Sequence, residues 1–292
     1  MNELNNYKFH GHETFYVRKG WLYKGLKNVV NNSRVFTDKS INASDAFGLG
    51  VSMVKSLRYW LQAFNLTVEK RENRETIQEL TELGKIIYEY DRYIEETGTL
   101  CLLQYQLATN ESMATSWYYF FNEFNIHDFT KEDFVDSLTA HLKFKQIEPA
   151  KKTLESEYIC LLNTYLKKET TDPEDNLESP FGELELIQQS EKKFYKKSAP
   201  KDGYIPLQIL LAMIVAQHPK ETEIKISDLL KEKNNIGKAF NLGLMSLSSY
   251  LDKLQIEGYI QVVRTAGLDV IKLRENKTWI EYVIDYYESI KN

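Results

Sequence analysis

The chain is poor in residues and runs on which several large classes of protein depend. Only two cysteines, Cys101 and Cys160, occur in 292 residues. Both sit in apolar helical patterns without CxxC or comparable spacing, which excludes a disulfide framework and a cysteine metal knuckle and reads as two buried free thiols. Six prolines and thirteen glycines leave little material for long disordered linkers. The stretch LQILLAMIVA, Leu207 to Ala216, is about half of the ~20 apolar residues that a membrane-crossing helix needs, and the start of the chain has no basic segment followed by an apolar one. A cytoplasmic protein with no membrane partner is expected. P-loop, nucleophile and dinucleotide-fingerprint motifs are also missing, so neither catalytic residues nor a cofactor is expected.

What is present is an ordinary globular composition, 42 % hydrophobic and 27 % charged, in a chain long enough for two or three domains. The charge is unevenly spread. The whole chain carries −5, yet residues 1 to 60 hold nine lysines and arginines against four acids, a net of +5, which leaves −10 for the remainder. An acidic protein with one basic end has a preferred surface for a polyanion.

That basic end contains SDAFGLGVSMVKSLRYW, Ser44 to Trp60. Two short helical patterns flank Gly48 to Val51, where glycine supplies the positive φ of a tight turn between helices. Ser52 is expected to cap the second helix. Val54, Leu57, Leu61 and Phe64 line its core face, with Met53 and Trp60 on the flank. The opposite face offers Ser52, Lys55, Tyr59 and Gln62 with Arg58 beside them, the hydroxyl, basic and amide groups that reach phosphate oxygens and base edges in a major groove. Residues 66–70 then read as a strand and the charged run that follows as a hairpin tip, before a helix start in LTELGKII. Helix-turn-helix followed by a hairpin describes a winged helix. Lys70, Arg71 and Arg74 in its wing, with Arg18 and Lys19 ahead of it, are the phosphate-holding candidates. The same pattern also serves as a plain packing unit, and Glu69, Glu72 and Glu75 weaken the wing as a phosphate binder.

Ahead of this element lie His10, His12 and Glu13. On a strand the two imidazoles would project to one side, as a metal site requires, but such a site needs three or four ligands and His127, His141 and His218 share no motif with them. They are weak metal candidates; hydrogen bonding across a turn, or phosphate contact, is the alternative. Trp21, Leu22, Leu26 and Val29 predict a helix over residues 19–31.

Further along, Asp91, Glu95 and Glu96 are read as a turn before an apolar helix, Leu100 to Ala108, capped by Thr99. The aromatic run WYYFFNEF, Trp117 to Phe124, suits either a base-stacking surface or a helix buried among others, and burial is the simpler account. Thr130 and Asp133 have capping-box spacing, and Leu154 to Leu166 forms another helix. Residues 169–182 are acidic, an interdomain loop or a docking strip for a basic partner, and residues 192–202 read as a linker. Beyond it an apolar helix over 204–217, a short helix over 226–230, the stripe Leu244, Leu247, Leu251 and Leu254, and a hairpin turning at Thr265-Ala-Gly267 repeat the winged-helix order in a self-contained unit. Its third helix presents Ser246, Ser249, Tyr250 and Lys253 with Asp252 and Glu257, a face better matched to protein than to DNA. A terminal helix, Trp279 to Ile290, closes the chain.

FHGHETFYVRKGWLYKGL, LGVSMVKSLRYWLQAF, LTELGKIIYEYDRYIEETGTLCLLQYQLA, ATSWYYFFNEF and EDNLESPFGELELI resemble, in order, the blocks of the bacterial domain-of-unknown-function family 4007. Matching positions include His12, Glu13, Arg18, Trp21, Gly50, Arg58, Trp60, Gly84, Asp91, Gly98 and Thr99; Cys101 and Gln104 depart from the Trp and His of many members. The resemblance implies a DNA-associated accessory protein encoded beside phosphoadenosine-phosphosulfate-reductase-like enzymes and ATPases, in DNA phosphorothioation or phage-defence islands, and carries over no catalytic residue.

The expected fold is mainly α with small β wings, two winged-helix-like domains over residues 1–98 and 203–292 joined by a helical middle over 99–195. The expected function is a non-enzymatic subunit that binds double-stranded DNA through the first winged helix. The alternatives are a scaffold for the reductase-like or ATPase proteins of the same system, and a metal-dependent enzyme built on His10, His12 and Glu13.

Overall fold

The structure, a computed structural model, describes residues 7–167, 178–265 and 268–291. It is mainly helical, with small two- and three-stranded antiparallel sheets. The first third contains α1 (Trp21–Asn31), α2 (Ala43–Phe47), α3 (Val51–Ala63), the hairpin of β1 (Thr67–Glu72) and β2 (Glu75–Leu80), and α4 (Glu82–Tyr90). Glu72 pairs with Glu75, so the hairpin turns on Asn73 and Arg74 alone. Both have positive φ, 48° and 68°, the primed geometry whose twist matches that of the strands it joins. Gly48 ends α2 at φ 61°, the position where the turn between α2 and α3 requires left-handed backbone.

Helix α4 starts on Thr81, whose hydroxyl accepts from the Gly84 amide, while the Thr81 amide donates to the Leu66 carbonyl. Here helix and strand backbones touch. A Cβ on Gly84 would lie 2.0 Å from the Leu66 oxygen.

The middle of the chain holds α5 (Thr97–Thr109), α6 (Thr115–Asn122), β3 (Asp128–Phe129), α7 (Lys131–Phe144), α8 (Lys151–Tyr165), a 3₁₀ turn (Pro180–Leu184), β4 (Ile187–Glu191) and β5 (Phe194–Lys197). All eight residues of α6 are buried, so the aromatic run is a core helix and not a stacking surface. The Thr130 hydroxyl and Asp133 carboxylate form the expected capping box on α7. The turn after α4 is held by Asp91, whose carboxylate accepts from the Glu95 and Glu96 amides. Thr99 does not cap α5; the helix begins at Thr97, and Thr99 is buried inside it. Residues 192–202, expected as a linker, contain instead the central strand of a sheet ordered β3-β5-β4, with Tyr195 opposite Phe129. Polar composition concealed this because β5 presents mostly lysine and tyrosine. Of the expected acidic strip, residues 169–177 lie outside the described residues.

The last third is α9 (Leu207–Gln217), β6 (Glu223–Lys225), α10 (Ile226–Lys231), α11 (Ile236–Ala239), α12 (Leu244–Ile256), β7 (Ile260–Thr265), β8 (Leu268–Leu273) and α13 (Trp279–Lys291). The hairpin tip proposed at Ala266 and Gly267 lies outside the described residues. On α12 the buried stripe is Leu247, Tyr250, Leu251 and Leu254. Leu244 is 61 % exposed and leaves the stripe, whereas Tyr250 joins it. These elements are not self-contained. The Tyr286 hydroxyl accepts from the Gly98 amide at 3.1 Å, and the Tyr287 and Thr99 hydroxyls lie 2.6 Å apart. The Gln104 amide donates to the Ala239 carbonyl at 2.8 Å. One apolar core runs from Val17 to Tyr287.

Candidate nucleic-acid interface

Helix α3 is fixed from behind by the segment preceding α1. The Trp60 indole donates to the Phe15 carbonyl at 3.0 Å, and the Ser56 hydroxyl donates to the same oxygen at 3.3 Å. The opposite edge begins with exposed Val51, Ser52 and Lys55. Gly50, not Ser52, is the N-cap, with extended backbone and no side-chain cap; Ser52 sits inside the first turn with its hydroxyl toward solvent. Tyr59 is a second correction. It is 4 % exposed, its ring lies 5.1 Å from that of Trp60, and a Cβ on Gly11 would fall 2.4 Å from it. Burial pushes its hydroxyl pKa well up. Helical periodicity placed Tyr59 on the outer face because the segment covering it comes from elsewhere in the chain.

Strand β1 lies along the outer edge of α3. Glu69 accepts from Arg58 Nε at 2.5 Å and from the Gln62 amide at 2.8 Å. Two of the expected DNA contacts are therefore already engaged, and a carboxylate stands among them. Lys70 pairs with Glu79 at 2.6 Å within the hairpin, and Arg34, from the loop after α1, pairs with Glu75 at 2.9 Å, so part of the hairpin's charge is already balanced. Arg71 and Arg74 are exposed, as are Lys19 and Lys55, and among the described residues no ion pair engages these four. Arg18 sits among three rings, 5.6 Å from Phe15, 5.8 Å from Tyr16 and 5.4 Å from Trp21, with Nε buried and without a hydrogen-bond partner. Stacking holds its guanidinium in place.

The histidine segment is a turn, not a strand. His10, Glu13 and Thr14 all have positive φ, which removes the alternation that would have put His10 and His12 on one side. His12 is fully buried. Its Nδ1 accepts from the Thr14 amide at 3.1 Å, so Nε2 carries the proton and donates to Glu157 at 2.9 Å. Glu157, itself buried, also accepts from the His10 amide at 2.6 Å. The pair is enclosed by Tyr59, Trp60 and Trp117. His12 thus anchors the N-terminal segment to α8, matching the reading of these residues as hydrogen-bonding groups across a turn. Glu157 was not found from the sequence, since it lies 145 positions away in an unremarkable helix. Among the described residues no group of three or more His, Cys, Asp or Glu side chains is arranged to hold a metal ion.

Two solved structures share this fold. One is described as a magnesium ion-bound SspB crystal structure, 24 % identical, with a TM-score of 0.86, covering all of this chain and 92 % of that one. The other is described as an SspB crystal structure, also 24 % identical and with the same coverage, with a TM-score of 0.84. At this identity the likeness is one of fold. No curated protein matches the chain. The family model described as "Protein of unknown function (DUF4007)" matches residues 9–287, nearly the whole length and every element from α1 through most of α13. The chain belongs to that family.

Proposed function

We propose that α1 to α3 with β1 and β2 form a winged helix that binds double-stranded DNA, and that the chain is a non-catalytic accessory subunit of a bacterial DNA-modification system of the phosphorothioate type, or of a phage-defence system. The observation that carries this reading is the outer edge of α3. Ser52 and Lys55 stand exposed there, β1 lies alongside through Glu69, and the hairpin ends in two arginines free of ion pairs. Arg74 adds support. It occupies a left-handed position that glycine fills more cheaply, and a costly residue kept at a wing tip suits a phosphate contact.

Binding of a random-sequence duplex should therefore weaken steeply with salt. Four free cations, Lys19, Lys55, Arg71 and Arg74, imply a log–log slope of about −3.6, or roughly a hundredfold loss between 50 and 200 mM salt. Fluorescence anisotropy with the wild type and a Lys55→Glu/Arg58→Glu variant checks this. A variant that binds like the wild type, or a wild type that does not bind at all, overturns the reading.

The carboxylate on the face gives a second prediction. Glu69→Gln should free the Arg58 guanidinium and Gln62 amide, raising DNA affinity several-fold and steepening the salt slope by about one. A drop in affinity would mean instead that Glu69 holds Arg58 in its binding position.

A second reading, a scaffold for reductase-like or ATPase partners of the same system, draws on α12. Leu244 and Met245 at its start and Ile256 at its end are 61 %, 88 % and 81 % exposed, apolar side chains at both ends of a helix in the unit expected to prefer protein. Loss of co-purifying partners in Met245→Glu, with DNA binding intact, would favour it.

A further inference from the structure

The end of α6, strand β5 and helix α11 line an open surface cavity of about 490 Å³ that the DNA-binding reading does not use. Its size is within the ordinary range for small-molecule sites. Lys197 lies in its wall. The ammonium donates to the Phe120 and Phe124 carbonyls at 2.5 and 2.6 Å and stands over both rings, 4.4 and 5.4 Å from their centroids. These carbonyls come from the last turn of α6 and just beyond it, where helix carbonyls lack amide partners and carry partial negative charge. An ammonium has three N–H groups, and these contacts use two.

Two further lysines line the same cavity. Lys238 of α11 donates to the Asn125 side-chain oxygen at 3.1 Å, a neutral acceptor. Lys196 precedes Lys197 on β5, so its side chain leaves the other face of the strand, where it stands opposite Asp128 of β3 at the cavity rim. His127 also lines the cavity and is paired with Asp128. No aspartate or glutamate contributes to the lining, and the nearby Glu123 is taken by Lys233. Phe121, Leu230 and Leu242 supply an apolar side.

We propose that this cavity binds a small phosphate-bearing anion, either free phosphate or pyrophosphate or the phosphate end of a nucleotide, recognised by Lys238 and by the remaining N–H of Lys197, with Lys196 reaching it from the rim. Cations that face one cavity without a carboxylate repel one another, and a bound anion of this class would remove that repulsion. The state of Lys197 agrees: burial and the charge of Lys238 lower its pKa to about 7, far below an ordinary lysine. An anion favours the protonated form, so binding should take up a fraction of a proton near neutrality and weaken as pH rises from 6.5 to 8.5. The charged group acting on Lys197 is Lys238, with Lys196 and the His127–Asp128 pair at the rim.

Calorimetric titration of the full chain tests the site, using inorganic phosphate, pyrophosphate, adenosine diphosphate and adenosine at constant ionic strength. Pyrophosphate or adenosine diphosphate should bind and adenosine should not. A Lys196→Ala/Lys238→Ala variant, both positions half-exposed and so tolerant of change, should lose at least tenfold in affinity with an unchanged circular dichroism spectrum. The Lys55→Glu/Arg58→Glu variant should bind as the wild type does, which separates this site from the DNA surface. Tighter binding of pyrophosphate assigns the site to a free anion, and tighter binding of adenosine diphosphate to a nucleotide. Absence of binding by both phosphates, binding of adenosine as tight as its diphosphate, or an unchanged affinity in the lysine variant overturns the proposal. If the double variant misfolds, Lys238→Glu alone should abolish binding, and retained affinity there overturns it equally.

Discussion

Replacing Glu157 by alanine should cost about 3–5 kcal/mol of stability, the range for removing one member of a buried, hydrogen-bonded polar pair. The argument rests on what is left behind. His12 Nε2–H and the His10 amide both donate to this one carboxylate, and the His12 ring has no access to water in a site walled by Tyr59, Trp60 and Trp117. With the acceptor gone, the segment before α1 loses its hold on α8, and Phe15, which accepts from Trp60 and Ser56, is loosened from the back of α3. Denaturant unfolding should show a lower midpoint. Glu157→Gln, which retains an acceptor oxygen, should recover part of the loss. DNA affinity at a temperature where both proteins are folded should fall too, because α3 is positioned by that segment. A Glu157→Ala protein as stable as the wild type would remove the anchor from the account.

Gly84→Ala should be about as damaging, by about 3 kcal/mol or more, through an unrelated mechanism. Its Cβ would meet the Leu66 carbonyl oxygen at 2.0 Å and the Leu66 carbonyl carbon at 2.9 Å. Backbone cannot rotate away as a side chain can, so the start of α4 or the entry to β1 must move. The same carbonyl accepts from the Thr81 amide, and displacing it disturbs the cap of α4 as well. Thermal unfolding checks the prediction. Gly50→Ala is the comparison, since a Cβ there meets nothing within 4 Å, and its cost should be limited to the poorer capping of alanine, roughly 1 kcal/mol.

What the sequence revealed, and what it hid, divides by the range of the interaction responsible. Helix α1, the glycine turn before α3, the capping box at Thr130, the buried aromatic helix and the hairpins β1–β2 and β7–β8 all follow from periodicity and turn chemistry within a few residues, and all were legible. Tyr59, Thr99 and Tyr250 were misplaced because each is buried by a segment remote in the chain. Strand β5 was mistaken for a linker because its residues are mostly lysine and tyrosine, although β4 beside it lies only a few positions earlier; its other partner, β3, is two residues long and more than sixty positions earlier. The candidate interface was half legible. Lys55, Arg71 and Arg74 are exposed where the pattern put them, but the grip of Glu69 on Arg58 and Gln62 depends on β1 folding back along α3, which spacing alone does not specify. Gly84 and Gly98 stood out only as part of a family resemblance. The close approaches of Leu66 and Tyr286 supply the reason for both.

The hydroxyls of Tyr286 and Tyr287 reach residues 188 positions earlier to satisfy the first turn of α5, and this sets a timetable for synthesis. At 5–20 residues per second, a ribosome needs roughly ten to forty seconds to travel from Gly98 to Tyr286. Throughout that interval α5, buried on nearly every side in the finished fold, lacks the helix that covers its beginning, and the nascent chain must shield it by other means. Contacts so distant along the chain also slow the final collapse. The molecule closes only once α13 has emerged.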